Sequence, residues 1–284
     1  MPEPHRLPDD THPVSVRLQV SDLARSRQWY TTTLGCRVLA DAPGEVRLGA
    51  EGDDTPLITI EERPGTRPVR PQSRLGLYHF AILLPSRTAL GAFVRHLASL
   101  DTRVGSADHL VSEALYLSDP DGLGIEVYAD RPRSAWTYTD GHVDMAVDPL
   151  DLRDLADAAT APWAGLPSGT TLGHMHLHVG DLTRAASFYQ DALGFDEMAR
   201  LHGALFLAAG GYHHHLGVNV WAGAAPPADD TDARLLEWTL HVPDASRAAE
   251  AAARLETAGY PIERRDAGRW TAADPWGTRL CVTS

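Results

Sequence analysis

The hydrophobic and polar positions of this chain follow one short scheme that recurs four times. Gly173-His174-Met175-His176-Leu177-His178-Val179 alternates strictly. Side chains of a strand point to opposite faces in turn, so His174, His176 and His178 share one face and Met175, Leu177 and Val179 the other. An earlier segment, Val14-Ser15-Val16-Arg17-Leu18-Gln19-Val20, alternates in the same way without a histidine. Both run into an Asp-Leu-x-Arg stretch (Asp22 to Arg25, Asp181 to Arg184), then an aromatic pair (Trp29-Tyr30, Phe188-Tyr189), then Leu-Gly (Leu34-Gly35, Leu193-Gly194). Between 16–39 and 175–198, 8 of 24 positions are identical. Leu23, Ser26, Trp29 and Tyr30 fall at three-to-four spacing. This predicts a helix with Ser21 or Asp22 as its N-cap and Gly35 as its stop, and the third unit predicts the same layout.

A second pair of segments repeats a different text. Tyr78 to Pro85 precedes a helical pattern over 90–100, the turn Asp119-Pro120-Asp121-Gly122 and a strand over 123–128. Leu236 to Pro243 precedes an Ala-rich helix over 245–258, the turn Asp274-Pro275-Trp276-Gly277 and a strand over 278–283. Asp-Pro-x-Gly makes a turn because Pro fixes φ and Gly permits a positive one. Alternation sets His79, Ala81 and Leu83 opposite Tyr78, Phe80 and Ile82, and Glu126 and Tyr128 opposite Ile125 and Val127. An apolar row can therefore pack under a helix while metal-ligand residue types face the other way.

The units span 12–62, 74–130, 171–225 and 233–284, each a strand, a helix and several strands. A connector, 131–170, carries a helix signal at 149–158, and shorter links run over 63–74 and 226–232. Each unit is small for a core of its own, so the units should pair, and 284 residues suggest about two domains.

Charge and composition narrow the function. A net charge of −13 argues against a nucleic-acid partner, which needs a basic footprint. No apolar run reaches the roughly 18–20 residues of a membrane span. The start, Met1 to Arg6, lacks the apolar core of a signal peptide, and Cys36 and Cys281 are too few and too far apart for a disulfide framework. A reducing cytoplasm fits both. There is no lysine, which excludes Schiff-base chemistry, while 14 histidines favour metal binding.

The four-unit layout, the Asp-Leu-x-Arg…Phe-Tyr…Leu-Gly signature and Asp119-Pro120-Asp121-Gly122-x-x-Ile125-Glu126 resemble the vicinal oxygen chelate superfamily. That superfamily includes glyoxalases, bleomycin-resistance proteins and extradiol dioxygenases, and the resemblance looks closest to its catechol 2,3-dioxygenase branch. It implies an α+β fold of four βαβββ units paired into two cupped mixed sheets. It also implies metal ligands on the first strand of each unit and the last strand of one. Those positions hold Ser15, His79, His174 and Glu237 on first strands, and Glu126 and Cys281 on last strands. Pairing units two and three gives His79, His174 and Glu126, two histidines and a carboxylate, the facial triad of non-haem Fe(II) oxygenases. Units one and four would then form an inactive cup around Ser15, Glu237 and Cys281.

The resemblance further implies an acid–base histidine in Gly210-Gly211-Tyr212-His213-His214-His215. Residue-by-residue matching favours His214, with His213 and His215 on the opposite strand face, and the choice among the three stays open. Tyr116, ten residues before Glu126, matches a substrate-binding tyrosine. His109 matches a substrate-orienting histidine in type but not in spacing. His176, His178, Asn219 and Trp221 are read as cavity lining, and His241 as structural. The implied activity is Fe(II)-dependent extradiol cleavage of a small aromatic diol by O2, with Mn(II) as the alternative ion. The rival readings are a glyoxalase-like isomerase using Ni(II) or Zn(II), which Asn219 at a carboxylate position weakens, and a non-enzymatic binding protein. A homo-oligomer is left open by the sequence.

Overall fold

The computed structural model describes residues 6–201 and 203–284. Residues 1–5, most of the segment read against a signal peptide, lie outside the described residues. The first unit contributes β1 (His12–Val20), α1 (Leu23–Thr32), β2 (Arg37–Ala42), β3 (Glu45–Gly49) and β4 (Ile58–Glu62). The second contributes β5 (Gly76–Leu83), α2 (Arg87–Ser99), β6 (Gly105–Asp108), β7 (Ser112–Ser118) and β8 (Gly124–Asp130). The connector holds a small hairpin of β9 (Tyr138–Thr139) and β10 (His142–Val143), then α3 (Leu152–Asp157). The third unit has β11 (Thr171–His178), α4 (Leu182–Ala186), β12 (Asp196–Leu201), β13 (Ala204–Ala208) and β14 (Leu216–Asn219). The fourth has β15 (Arg234–His241), α5 (Ala245–Thr257), β16 (Glu263–Arg264), β17 (Trp270–Ala273) and β18 (Arg279–Thr283).

These strands form two eight-stranded mixed sheets, an α+β vicinal oxygen chelate fold. One sheet has the order β16-β17-β18-β15-β1-β4-β3-β2, the other β12-β13-β14-β11-β5-β8-β7-β6. The first is thus built from units one and four, the second from units two and three. In each, two antiparallel first strands lie at the centre, flanked by the parallel last strands of the two units. The apolar rows of both sheets, among them Val16, Leu18, Phe80, Ile82, Met175, Leu177, Trp238 and Leu240, join the helices in one continuous buried core.

Local chemistry explains the elements. Asp22 caps α1 by accepting from Arg25 N at 2.9 Å, and Asp181 caps α4 by accepting from Arg184 N at 2.7 Å. Each cap is worth about 1 kcal/mol. The two copies then diverge. From Ser187 to Leu193 the third-unit helix winds as a π-helix, which the shared sequence text does not foresee. The wider turn lets the adjacent Phe188 and Tyr189 both face the core, whereas Trp29 beside Tyr30 is only half-buried. The Asp-Pro-x-Gly turns tie the two sheets together. Tyr30 donates to Asp119 at 3.2 Å and Tyr189 donates to Asp274 at 3.0 Å, one bond in each copy.

The central pairs also carry matching bulges. On β11 Gly173 is the extra residue between Leu172 and His174, and on β1 Val14 is extra between Pro13 and Ser15. On β5 Tyr78 is extra opposite the step from His176 to Leu177, as Leu236 is on β15. Strict alternation therefore fails at Tyr78. The bulge turns it to the same side as His79 and His176, and its ring sits 4.7 Å from that of His79 and 5.1 Å from that of His176.

Candidate metal centre

The register brings three donors to one point. His174 on β11 pairs with Ala81 on β5, and Ala81 pairs with Glu126 on β8. His79 lies two residues before Ala81 on the same face. The ligand atoms of His79, Glu126 and His174 all lie within 4.8 Å of one another, and the three side chains are buried. Glu126 Oε2 is 3.0 Å from His79 Nε2 and 3.1 Å from His174 Nε2. The contact to His79 lacks hydrogen-bond alignment, which leaves that buried nitrogen without a partner; His174 Nδ1 is also unpartnered. An unpaired buried nitrogen costs about 1–3 kcal/mol, so an ion beside Glu126 would relieve His79 Nε2. Donors about 2.1 Å from a common ion at right angles stand about 3 Å apart, the spacing found around Glu126. The donor set fits a divalent metal.

Protonation suits that role. Burial pushes the His79 and His174 imidazoles down, so both are neutral near pH 7. Burial also works to raise the Glu126 carboxyl, but the two imidazoles outweigh it and hold it well below the usual carboxylate range. Neutral imidazoles and an ionised carboxylate are the states that bind metal.

Gly173 makes the approach possible. A Cβ there would lie 1.8 Å from the Tyr128 oxygen, so only glycine lets Tyr128 reach beneath β11. Tyr128 in turn hydrogen-bonds Tyr212 at 2.7 Å, and Tyr212 donates to Asp130 at 2.9 Å.

Two of the donors, His79 and Glu126, line a cavity of about 360 Å³. His79, Glu126, His109, Tyr116, His176 and His214 supply its polar wall, with Phe206, Met145 and Trp221 among its apolar lining. Tyr116 and Glu126 are cross-strand partners on β7 and β8. Tyr116 and His109 are hydrogen-bonded to each other, and His109 Nδ1 donates to Ala146 O at 2.7 Å. That fixes the lone pair of His109 on Nε2, so Tyr116 is the donor in their bond. His109 sits in the short turn between β6 and β7, which brings it to Tyr116 despite its sequence spacing.

His213, His214 and His215 do not lie on a strand. They occupy the bend before β14, and the assignment of His213 and His215 to an opposite strand face is corrected by that bend. The ring of His214 is 4.1 Å from that of His174, and burial holds it neutral. His213 Nε2 meets Asp130 Oδ1 at 2.9 Å, and its Nδ1 meets His214 Nδ1 at 2.7 Å. His215 faces away, stacked on Tyr212 at 4.8 Å. His176 and His178 are bridged by Asn219, which donates to His176 Nε2 at 2.9 Å and accepts from His178 Nδ1 at 2.7 Å. Of these two histidines, His176 lines the donor cavity. His178 instead faces a second cavity of about 450 Å³, lined also by Arg70, Gln72 and Arg103, that meets the first at Tyr78, His79 and Tyr116. His241 stands at the end of β15, its ring 5.4 Å from that of His12.

Sequence reading missed Tyr78 and Asp130. Tyr78 was hidden by the bulge. Asp130 had a signal, because Glu126, Tyr128 and Asp130 form one same-face row along β8.

A family model described as the glyoxalase/bleomycin resistance protein/dioxygenase superfamily matches residues 12–127 and 171–282. The chain belongs to that superfamily. It is 43% identical over 263 residues to a catechol-2,3-dioxygenase of Bacillus subtilis (strain 168), covering 91% of this chain and 92% of that one. It is 28% identical over 131 residues to a biphenyl-2,3-diol 1,2-dioxygenase 3 of Rhodococcus globerulus, covering 44% of this chain and 67% of the relative. Among solved structures, glyoxalase I from Zea mays superposes with a TM-score of 0.56 at 18% identity, covering 96% of this chain and 92% of that one. That likeness concerns the fold alone. Among the described residues no helix is long and apolar enough to cross a membrane.

Proposed function

We propose that this chain is a non-haem Fe(II)-dependent extradiol dioxygenase that opens the ring of a catechol-like aromatic diol with O2. The observation that carries this reading is the convergence of His79, Glu126 and His174 on one buried point beside a cavity. The 43% identity to a catechol-2,3-dioxygenase across nearly the whole chain supports the reaction class. His79, Glu126 and His174 would hold the Fe(II), with Mn(II) as the alternative ion. When bound, the ion supplies a template with open positions and a conduit for electrons between diol and dioxygen.

The chain's own residues do the rest. His214, neutral because buried, accepts a proton from a diol hydroxyl and later returns one to an oxygen of the opening ring. Tyr116 gives its hydrogen to His109, which leaves its oxygen lone pairs as acceptors for a diol hydroxyl. His109 is held for this by Ala146 O. Phe206, Met145 and Trp221 give the ring an apolar seat and exclude water. A volume of about 360 Å³ suits a small aromatic ligand.

The glyoxalase-like reading has less support. It wants a second carboxylate, and the corresponding strand offers Asn219, whose amide is committed to His176 and His178. The test is to load the protein with Fe(II) anaerobically and add air and a panel of catechols. Oxygen uptake with a yellow ring-opened product is expected. No uptake across the panel would overturn the substrate class.

A further inference from the structure

We propose that Asp130 and His213 are positioning residues that lock His214 in the tautomer with Nε2 bare. The inference starts from a hydrogen-bonded row that the triad does not use. Asp130 Oδ1 lies 2.9 Å from His213 Nε2, and His213 Nδ1 lies 2.7 Å from His214 Nδ1. His213 is fully buried between the rings of Trp136 and Tyr212, at 5.3 Å and 4.1 Å.

Donor and acceptor rules leave one solution for neutral rings. An ionised carboxylate only accepts, so His213 carries its hydrogen on Nε2. A neutral imidazole has one N–H, so His213 Nδ1 is an acceptor. His214 must then carry its hydrogen on Nδ1 to satisfy the bond between them. Its Nε2 is left with a free lone pair, and His214 lines the cavity that holds His79 and Glu126. The row thus prepares His214 as a proton acceptor before any ligand arrives. Its outer end is anchored as well. Tyr212 donates to the second oxygen, Asp130 Oδ2, at 2.9 Å, and a quarter of the Asp130 side chain reaches solvent.

The geometry also says what Asp130→Asn should do. Tyr128 O–H is satisfied by donating to the Tyr212 oxygen, so Tyr212 O–H needs its acceptor at position 130, and the new amide turns its oxygen to Tyr212 and its NH2 to His213 Nε2. His213 then carries its hydrogen on Nδ1 and donates to His214 Nδ1. His214 is left protonated on Nε2, the wrong form for taking a proton. Adding Tyr212→Phe removes the group that orients the amide and lets its oxygen return to His213.

The use of this tautomer in turnover rests on the proposed function, but the tautomer itself does not. It is read from the side-chain 15N shifts of His214 in the protein loaded with diamagnetic Zn(II). The expected spectrum has hydrogen on Nδ1 and none on Nε2, reversed in Asp130→Asn. In the Fe(II) enzyme Asp130→Asn should lower kcat about 100-fold or more, the usual size of an acid–base contribution. KM should stay within about threefold and iron content should not change. The Asp130→Asn/Tyr212→Phe double variant should regain part of kcat and the original tautomer. A wild-type His214 protonated on Nε2 overturns the proposal without any variant having to fold. So does an Asp130→Asn protein with unchanged tautomer and kcat. A correct tautomer in a protein that turns over no diol would instead overturn the reading of function.

Discussion

The two sheets are one backbone used twice, and they differ in what their polar side chains do. Strand order, central pairing and both bulges match. Ser15 pairs with Thr239 and Thr239 with Cys281, as His174 pairs with Ala81 and Ala81 with Glu126. Glu237 stands where His79 does, Arg17 where His176 does, and Glu61 where Asn219 does. In the first sheet these groups satisfy one another. Arg17 donates to Glu61 at 2.8 Å, Arg265 holds Glu237 at 3.1 Å, and Arg269 reaches the Cys281 sulfur at 3.5 Å. In the second sheet a buried imidazole nitrogen is left unpaired beside a carboxylate and a cavity. The fold is indifferent to this choice. A cup becomes a site when its buried polar groups are not allowed to satisfy each other.

The contrast can be broken at several points. His174→Ala should cut ring cleavage at least about 1000-fold and abolish stoichiometric Fe(II) binding, measured by oxygen uptake and iron analysis, since it removes one of three donors. Ser15→Ala at the matching position should change neither. Gly173→Ala should cost about 1–3 kcal/mol in urea unfolding, because its Cβ would meet the Tyr128 oxygen. Gly173→Ala/Tyr128→Phe should return only part of that loss, because the ring carbons Cζ and Cε1 would still lie 2.7 and 2.9 Å from the new Cβ. Its counterpart Val14→Ala, at a half-buried site, should cost under about 1 kcal/mol. Arg265→Ala leaves the buried Glu237 without its 3.1 Å partner; because Arg265 itself is part-exposed, the loss should be about 1–2 kcal/mol with kcat unchanged. Grafting donors into the first sheet, as Ser15→His/Glu237→His/Cys281→Glu, should add no second iron by metal analysis while Arg17, Arg265 and Arg269 still fill that cup.

Much of this was legible in the chain. The repeat text and period-two alternation placed His79, His174 and Glu126 on cup-facing rows, and the family resemblance said which of those positions hold ligands. The Asp-Pro-x-Gly turns appeared where the repeats put them. Three features were not legible. A bulge is one extra residue with no composition of its own, so alternation alone puts Tyr78 on the wrong face. The π-winding after Ala186 answers a packing demand on two aromatics, not a local propensity. The bend at His213 to His215 depends on partners far along the chain, above all Asp130, 83 residues away. Alternation holds where a segment is a regular strand, and the residues that complete this site sit where it stops being one.

The most direct test is where iron sits. Crystals of the anaerobically Fe(II)-loaded protein, measured at the iron absorption edge, should show one anomalous peak per chain, within bonding distance of His79, Glu126 and His174. A peak among Ser15, Glu237 and Cys281, or none at the triad, would contradict the assignment of function to one cup alone.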